Sequence, residues 1–171
     1  MMVGDNSMKA YQLELSERLK NATTNPSATV LGVTVGNDRW LVQMNEVGEV
    51  LPLSKLTPVA LTQPWFLGAA NVRGDLYGIT DLAAFLTGDA TPRSLKARIL
   101  LASPQFGVNS GLLVSNMLGI RSLTDFEPVE ESDKEALMFV AGYYKDKEGC
   151  LWRELNLCEL VRDKKFMQIA V

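Results

Sequence analysis

Hydrophobic residues recur along this chain in short runs about ten residues apart, and turn-forming residues separate most of the runs. These runs predict strands at residues 29–35, 40–44 and 47–53, and later at 97–102, 111–117, 119–123, 139–144 and 150–155. Many short strands without a long helix are typical of antiparallel all-β folds built from small barrels. The pattern therefore predicts an all-β protein.

The segment 65–88 combines several signals: a strand, a tight turn, a second strand and a short helix. Arg73 and Gly74 provide turn chemistry between two apolar runs. Asp81 is a predicted N-cap of the helix and Gly88 its C-terminal stop. Because Arg73 always carries a charge, we expect it to be paired or presented to a partner.

Parts of the chain resemble one another at a nearly constant distance. Residues 76–86 align with 151–161, residues 41–50 with 111–120, and Gly68 with Gly142. Three ordered matches predict an internal duplication, with related halves at about 28–92 and 93–171. Before these halves, residues 1–27 are predicted to be an N-terminal extension, with an amphipathic helix at 7–20 and a polar linker at 21–27.

Composition and charge exclude several functions. The chain has 171 residues, 17 basic and 20 acidic side chains and a net charge of −3, which disfavours nucleic-acid binding through a basic face. No histidine is present, so Ser-His-Asp catalysis and histidine phosphotransfer are excluded, and no phosphate-binding loop is found. Two cysteines are too few for a four-ligand zinc site. We expect no enzyme activity, no cofactor, no secretion signal and a cytoplasmic location.

One segment carries a family resemblance. Gly68-Ala-Ala-Asn-Val-Arg-Gly-Asp-Leu-Tyr-Gly-Ile-Thr-Asp-Leu82 resembles the signature of CheW-like chemotaxis coupling proteins. Residues 40–50 are similar to a strand pair of that family, and the likeness extends over about residues 28–165. The Asn-Val-Arg-Gly-Asp-Leu variant, preceded by Trp65, looks most like the PilI-type adaptors of type IV pilus twitching motility.

The resemblance implies two packed five-stranded SH3-like barrels with short helices and no catalytic activity. Such adaptors couple the cytoplasmic tips of methyl-accepting chemoreceptors to the regulatory domain of a CheA-like histidine kinase. The implied partners are therefore a receptor tip and a kinase domain, without nucleic acid and without direct membrane insertion. Recruitment of the cytoplasmic protein to membrane-associated receptor arrays follows from the same resemblance.

The family pattern also implies candidate partner-binding residues. Its signature glutamate and arginine fall on Glu49 and Arg73, and the complete set is Glu49, Gly68, Asn71, Val72, Arg73 and Gly74. The chain departs from the pattern at Gly78, where the family usually has proline, and at Thr80, usually isoleucine or valine. The loss of proline frees a backbone N–H, so strand pairing is expected to differ there.

Two interpretations of Arg73 are open and compatible: a structural ion pair with Glu49, or a pair that shapes the binding groove. Gly68 is required either by a turn or by the close approach of a partner backbone. Two alternative functions also remain, a CheW-like adaptor of flagellar chemotaxis and an SH3-like nucleic-acid-binding module. The acidic composition disfavours the second alternative.

Overall fold

The computed structural model describes residues 29–130 and 139–171, and these residues are mostly β-structure in two sheets. The strands are β1 (Val30–Val35), β2 (Asp38–Gln43), β3 (Val47–Pro52), β4 (Phe66–Val72), β5 (Asp75–Asp81), β6 (Arg98–Ala102), β7 (Ser110–Val114), β8 (Asn116–Arg121), β9 (Glu127–Val129), β10 (Val140–Lys145) and β11 (Leu151–Leu155). The α-helices of the described residues are short: α1 (Leu82–Thr87) follows β5, and α2 (Leu157–Arg162) and α3 (Lys164–Met167) follow β11. The predicted fold class, mostly β with few short helices, is confirmed. The predicted helix at 7–20 and linker at 21–27 lie outside the described residues.

Each sheet takes strands from both halves of the sequence. The six-stranded sheet has the order β8-β1-β2-β11-β10-β9, and the five-stranded sheet has the order β3-β6-β7-β5-β4. The β1–β2 hairpin of the first half therefore lies in one sheet with β8–β11, and the β6–β7 hairpin of the second half lies in the other sheet with β3–β5. Parallel pairings join the two sets of strands, β2 with β11 and β5 with β7.

The strand ladders of the two sheets correspond at the spacings seen in the sequence. Adding 70 to the β2 positions and subtracting 75 from the β11 positions converts the Trp40–Arg153 and Leu41–Glu154 pairs into the Ser110–Gly78 and Gly111–Ile79 pairs of β7 and β5. The register shift of the β4–β5 ladder between Phe66 and Gly68 recurs, 74 residues later, in the β10–β11 ladder. The resemblance between the halves thus extends to their hydrogen-bond register.

The chain crosses between the sheets at two places. Residues Met44–Glu46 form a single 3-10 turn that leads from β2 into β3. At the corresponding place Ser115 separates β7 from β8, donating hydrogen bonds from both its N–H and its hydroxyl to the Thr34 carbonyl. The single strand expected over 111–117 is therefore wrong, because Ser115 carries the chain into the other sheet. Strand β9 and helix α3 were also missed by the sequence analysis.

The largest core cluster lies between the sheets and includes buried residues of β1, β2, β6, β7, α1 and α2. The three tryptophans, Trp40, Trp65 and Trp152, are all buried, as expected for aromatic side chains. Trp65 packs edge-on against Phe85 at a centroid distance of 5.0 Å and stacks on Phe166 of α3 at 6.3 Å. Helix α3 thereby covers one end of this core.

The predicted helix caps are confirmed. Asp81 accepts a hydrogen bond from the Ala84 N–H, and Gly88 ends α1 in the left-handed conformation. Asn156 caps α2 in the same way by accepting from the Glu159 N–H. Asp81 also has a partner that the sequence analysis missed, since its carboxylate accepts from the Thr91 N–H and hydroxyl at 2.7 and 2.6 Å.

Neither sheet of the described residues is closed by a strand ladder between its two edge strands. Among residues 29–130 and 139–171, no ladder joins β8 to β9 or β3 to β4, so closed SH3-like barrels are not confirmed. None of the helices in this described part of the chain is long and apolar enough to cross a membrane.

Replacing Asp81 with asparagine should lower the free energy of unfolding by about 1–3 kcal/mol. The amide cannot accept at both of its terminal atoms, so one of the bonds from Ala84 or Thr91 is lost inside the protein, where Asp81 is 1% exposed. Urea unfolding measures the change. Asn156→Asp is the matched control and should change stability by less than about 0.5 kcal/mol, because aspartate and asparagine cap helices equally well.

Candidate functional site

The loop between β4 and β5 is a two-residue turn formed by Arg73 and Gly74. Val72 and Asp75 form the last strand pair, and the two turn residues have φ angles of 54° and 89°. Positive φ at both central positions is the type I′ geometry that matches the twist of a hairpin. The Asn71 side chain accepts a hydrogen bond from the Gly74 N–H at 2.9 Å and closes the turn.

Arg73 occupies a backbone conformation that side-chain-bearing residues avoid. Within the described residues, only Leu61 shares with Arg73 a positive φ without being glycine. This conformation costs a residue with a Cβ about 1–2 kcal/mol, and asparagine or glycine would adopt it more easily. The local backbone therefore does not explain why an arginine stands here.

The Arg73 guanidinium forms an ion pair with Glu49, as the sequence analysis predicted. Arg73 Nη2 lies 2.6 Å from Glu49 Oε1, and the side chains are 77% and 31% exposed. Glu49 is in β3 and Arg73 follows β4, and these two strands are the opposite edges of the five-stranded sheet. The ion pair thus connects the two edges and leaves most of the guanidinium facing solvent.

The same two edges also meet through the backbone. Thr57, which follows β3, exchanges two hydrogen bonds of 2.8 Å with Ala69 of β4. Gly68 has a φ of +132°, and a Cβ added there would lie only 2.3 Å from the Thr57 carbonyl oxygen. The backbone that approaches Gly68 is therefore this chain's own segment at Thr57 and Pro58.

The other candidates occupy different environments around the turn. Asn71 and Gly74 are exposed, whereas Val72 is half-buried and packs against the core of the five-stranded sheet. Leu76, which the sequence analysis did not select, lies opposite Asn71 in the ladder and is 64% exposed. Its position two residues after Gly74, beside the turn, is the signal that would have identified it.

The departure from the family pattern at Gly78 has a local explanation. Gly78 donates its N–H to the Asn109 carbonyl at 2.9 Å, a bond that proline cannot make. A Cβ at this position would lie 3.0 Å from the Phe66 ring, which favours glycine further. Thr80 is 2% exposed in β5, so it occupies a core position.

The corresponding place in the six-stranded sheet is built differently. At the spacings of 70 and 74, Gly119 corresponds to Glu49 and Lys147 to Arg73. An open cleft of about 340 Å³ lies there, with Lys147, Arg39 and Arg121 among its lining residues. Both arginines lie over the Trp152 ring, with Cζ 5.5 and 5.4 Å from its centroid.

Asp146 organises the loop beside this cleft. It accepts hydrogen bonds from the Trp152 indole and from the N–H groups of Cys150 and Glu148, each at 2.9 Å. The bond from the indole, followed by those from the backbone, holds the pKa of Asp146 below its ordinary value. Asp146, Glu148 and Cys150 bring potential metal-ligating atoms within 4.8 Å of one another, but the hydrogen bonds account for their arrangement as a turn.

Comparisons with known proteins agree with this architecture. The model of the CheW-like domain family matches residues 29–165. Protein PilI of Pseudomonas aeruginosa is 28% identical over 144 residues, which cover 82% of this chain and 79% of that protein. The scaffolding protein TtCheW from Thermoanaerobacter tengcongensis has a similar crystal structure, with a TM-score of 0.66 and 19% identity over 76% of this chain and 84% of that chain.

Replacing Gly68 with alanine should lower the free energy of unfolding by at least about 2 kcal/mol, because the added Cβ collides with the Thr57 carbonyl and the backbone is strained. Thermal or urea unfolding tests this. Gly142→Ala is the control at the corresponding bulge, where the nearest atom to an added Cβ is a Tyr144 ring carbon at 3.4 Å. A loss below about 1 kcal/mol is expected there, and equal losses for the two variants would contradict the explanation.

Proposed function

Because the chain belongs to the CheW-like domain family, we propose that it is a non-enzymatic adaptor that couples methyl-accepting chemoreceptors to a CheA-like histidine kinase. The family match covers residues 29–165, so the proposal concerns most of the chain. Similarity to PilI over 79% of that protein favours type IV pilus twitching motility over flagellar chemotaxis as the pathway. In this proposal the protein works in the cytoplasm, is recruited to membrane-associated receptor arrays, and requires no cofactor.

One observation supports a binding role for the hairpin more than any other. Arg73 occupies a strained turn position while most of its side chain faces solvent. An exposed ion pair contributes about 0–1 kcal/mol, which does not exceed the backbone cost of about 1–2 kcal/mol. Since stability does not favour arginine at this position, a contact with a partner protein is the remaining reason for it.

We assign the six candidate residues two kinds of role in this surface. Glu49, Asn71 and Arg73 present polar groups, whereas Gly68, Val72 and Gly74 set the path of the hairpin that carries them. Leu76 adds exposed apolar area beside the polar groups. A polar anchor next to apolar surface is the composition expected of a protein interface.

The sheet edges also favour the barrel interpretation for the five-stranded sheet. Although β3 and β4 form no ladder, the Thr57–Ala69 bridge and the Glu49–Arg73 ion pair bring the two edges together. A sheet whose edges meet has the curvature of a small barrel. We therefore interpret it as an SH3-like barrel that is closed by one bridge and one ion pair.

Replacing Arg73 with alanine should weaken binding of the receptor tip or the kinase regulatory domain at least tenfold, which is about 1.4 kcal/mol. The reason is that Glu49 would then be buried against the partner without its counter-charge, a loss of about 2–5 kcal/mol in desolvated interfaces. The free energy of unfolding should fall by no more than about 1 kcal/mol. Titration calorimetry with each partner and urea unfolding measure the two effects.

Two further variants make this experiment specific. Arg93→Ala removes another exposed arginine and should leave binding unchanged. Arg73→Gly should be more stable than Arg73→Ala by about 1 kcal/mol, because glycine relieves the positive φ, yet it should bind as weakly. Normal binding of both partners by Arg73→Ala would refute the proposed surface, and ready unfolding of that variant would make Arg73 a structural residue.

The purified protein should neither hydrolyse ATP nor accept phosphate from its kinase, because the sequence contains no histidine and no phosphate-binding loop. Incubation with labelled ATP and the kinase, with a response-regulator domain as the positive control, tests this. A stoichiometric label on this chain would contradict the adaptor proposal.

A further inference from the structure

A cluster of acidic and polar side chains lies where the chain first crosses between the sheets. Gln43 ends β2, Glu46 ends the 3-10 turn that leads to β3, and Glu154 comes from β11. Gln43 and Glu154 are 7% and 8% exposed, and Glu46 is half-buried. No part of the proposed binding surface uses these three side chains.

The hydrogen bonds of this cluster are incomplete. The Gln43 amide donates to Glu154 Oε1, and the Tyr144 hydroxyl donates to Glu154 Oε2 at 3.4 Å. Glu46 accepts from the Leu157 N–H at the start of α2. Among the described residues, Glu46 Oε2 and Gln43 Oε1 are buried without a hydrogen-bond partner. Both are acceptors, and leaving such atoms unpaired in the interior costs about 1–3 kcal/mol each.

One additional proton would reduce this shortage of donors. A protonated carboxyl group is both a donor and an acceptor, whereas a carboxylate only accepts. A proton on Glu46 would convert one orphaned acceptor into a donor and would remove the repulsion between Glu46 and Glu154. We propose that the folded protein holds a proton on Glu46 near neutral pH, so that the stability of this sheet crossing depends on the pH of the cytoplasm.

The electrostatic surroundings act in the same direction. Burial, followed by the nearby charge of Glu154, raises the pKa of Glu46 to about 7, and the bond from the Leu157 N–H opposes the shift only in part. Burial and Glu154 also raise the pKa of Tyr144, so this hydroxyl stays protonated and continues to donate. The titratable groups facing Glu46 and Glu154 thus favour uptake of one proton.

The sign of the pH dependence follows from linkage. A carboxyl group whose pKa is higher in the folded than in the unfolded protein stabilises the fold most below its unfolded pKa, and this contribution is lost as the pH rises through the folded pKa. The window here runs from the ordinary value of 4.5 to about 7. The protein should therefore lose stability between pH 5.5 and pH 8.

The crossing also leads directly into the proposed binding surface. The Glu46 carbonyl accepts from the Ser103 N–H at 2.8 Å, at the start of the β3–β6 pairing. Glu49 follows only three residues later in β3. The Glu46 side chain therefore lies at the entrance to the strand that carries one member of the Glu49–Arg73 pair.

The test is the folding equilibrium constant of the full chain, measured by urea unfolding at pH 5.5 and pH 8. For the unmodified protein it should fall about tenfold or more across this interval. Glu46→Gln should reduce the change to less than about threefold, because the amide has the same shape as the carboxyl group but does not titrate. Glu127→Gln, which removes the same charge from an exposed position of β9, should retain the full change.

A carbon-13 NMR titration of the glutamate carboxyl groups gives an independent measure that needs no variant. Glu46 should titrate near neutral pH, and Glu154→Gln should lower its midpoint. A midpoint below about 5.5 for Glu46, or an unchanged pH dependence in folded Glu46→Gln, would overturn the proposal. Neither outcome would affect the adaptor function, which is tested separately by partner binding.

Discussion

The structure depends on the two parallel strand pairings that join the halves of the sequence. β2 pairs with β11 and β7 with β5, so the first hairpin of each half completes the sheet of the other. Because the main core cluster includes residues from both exchanged hairpins, neither half can bury its apolar face alone. The chain must therefore cross between the sheets twice. Buried or partly buried polar side chains lie at both crossings: Ser115 at one, and the cluster around Glu46 at the other.

This exchange also explains how far the sequence could predict the fold. Most of the strands, the turn at Arg73–Gly74 and the helix ends at Asp81 and Gly88 follow from local sequence patterns, and the sequence analysis identified them correctly. The partner strand of a hairpin is not local, since the same apolar run suits either sheet. The end of β7 at Ser115 depends on the Thr34 carbonyl, 81 residues away along the chain. Strand β9 is likewise defined only by its pairing with β10.

The candidate site shows the same division between local and distant causes. The Arg73–Gly74 turn and its ion pair with Glu49 were predictable, because turn chemistry and the family pattern indicated the same residues. The reason for Gly68 was not predictable, since it is the Thr57 carbonyl that approaches its α-carbon. Thr91, which completes the Asp81 hydrogen bonds, was missed for the same reason: it lies beyond α1, where no local pattern connects it to the cap.

In this hairpin, the free energy of unfolding and the proposed partner binding depend differently on the Glu49–Arg73 ion pair and the strained turn. The edges of the five-stranded sheet already meet at the Thr57–Ala69 bridge, so the fold does not need a second connection to bring them together. The exposed pair is weak in water, but it would become strong if a partner protein excluded solvent from it. Under the proposed function, an arginine at this turn contributes little to the free protein and would contribute much more in a complex. If this hairpin is the proposed binding surface, its affinity for a partner can change by substitution at Arg73 without loss of the fold.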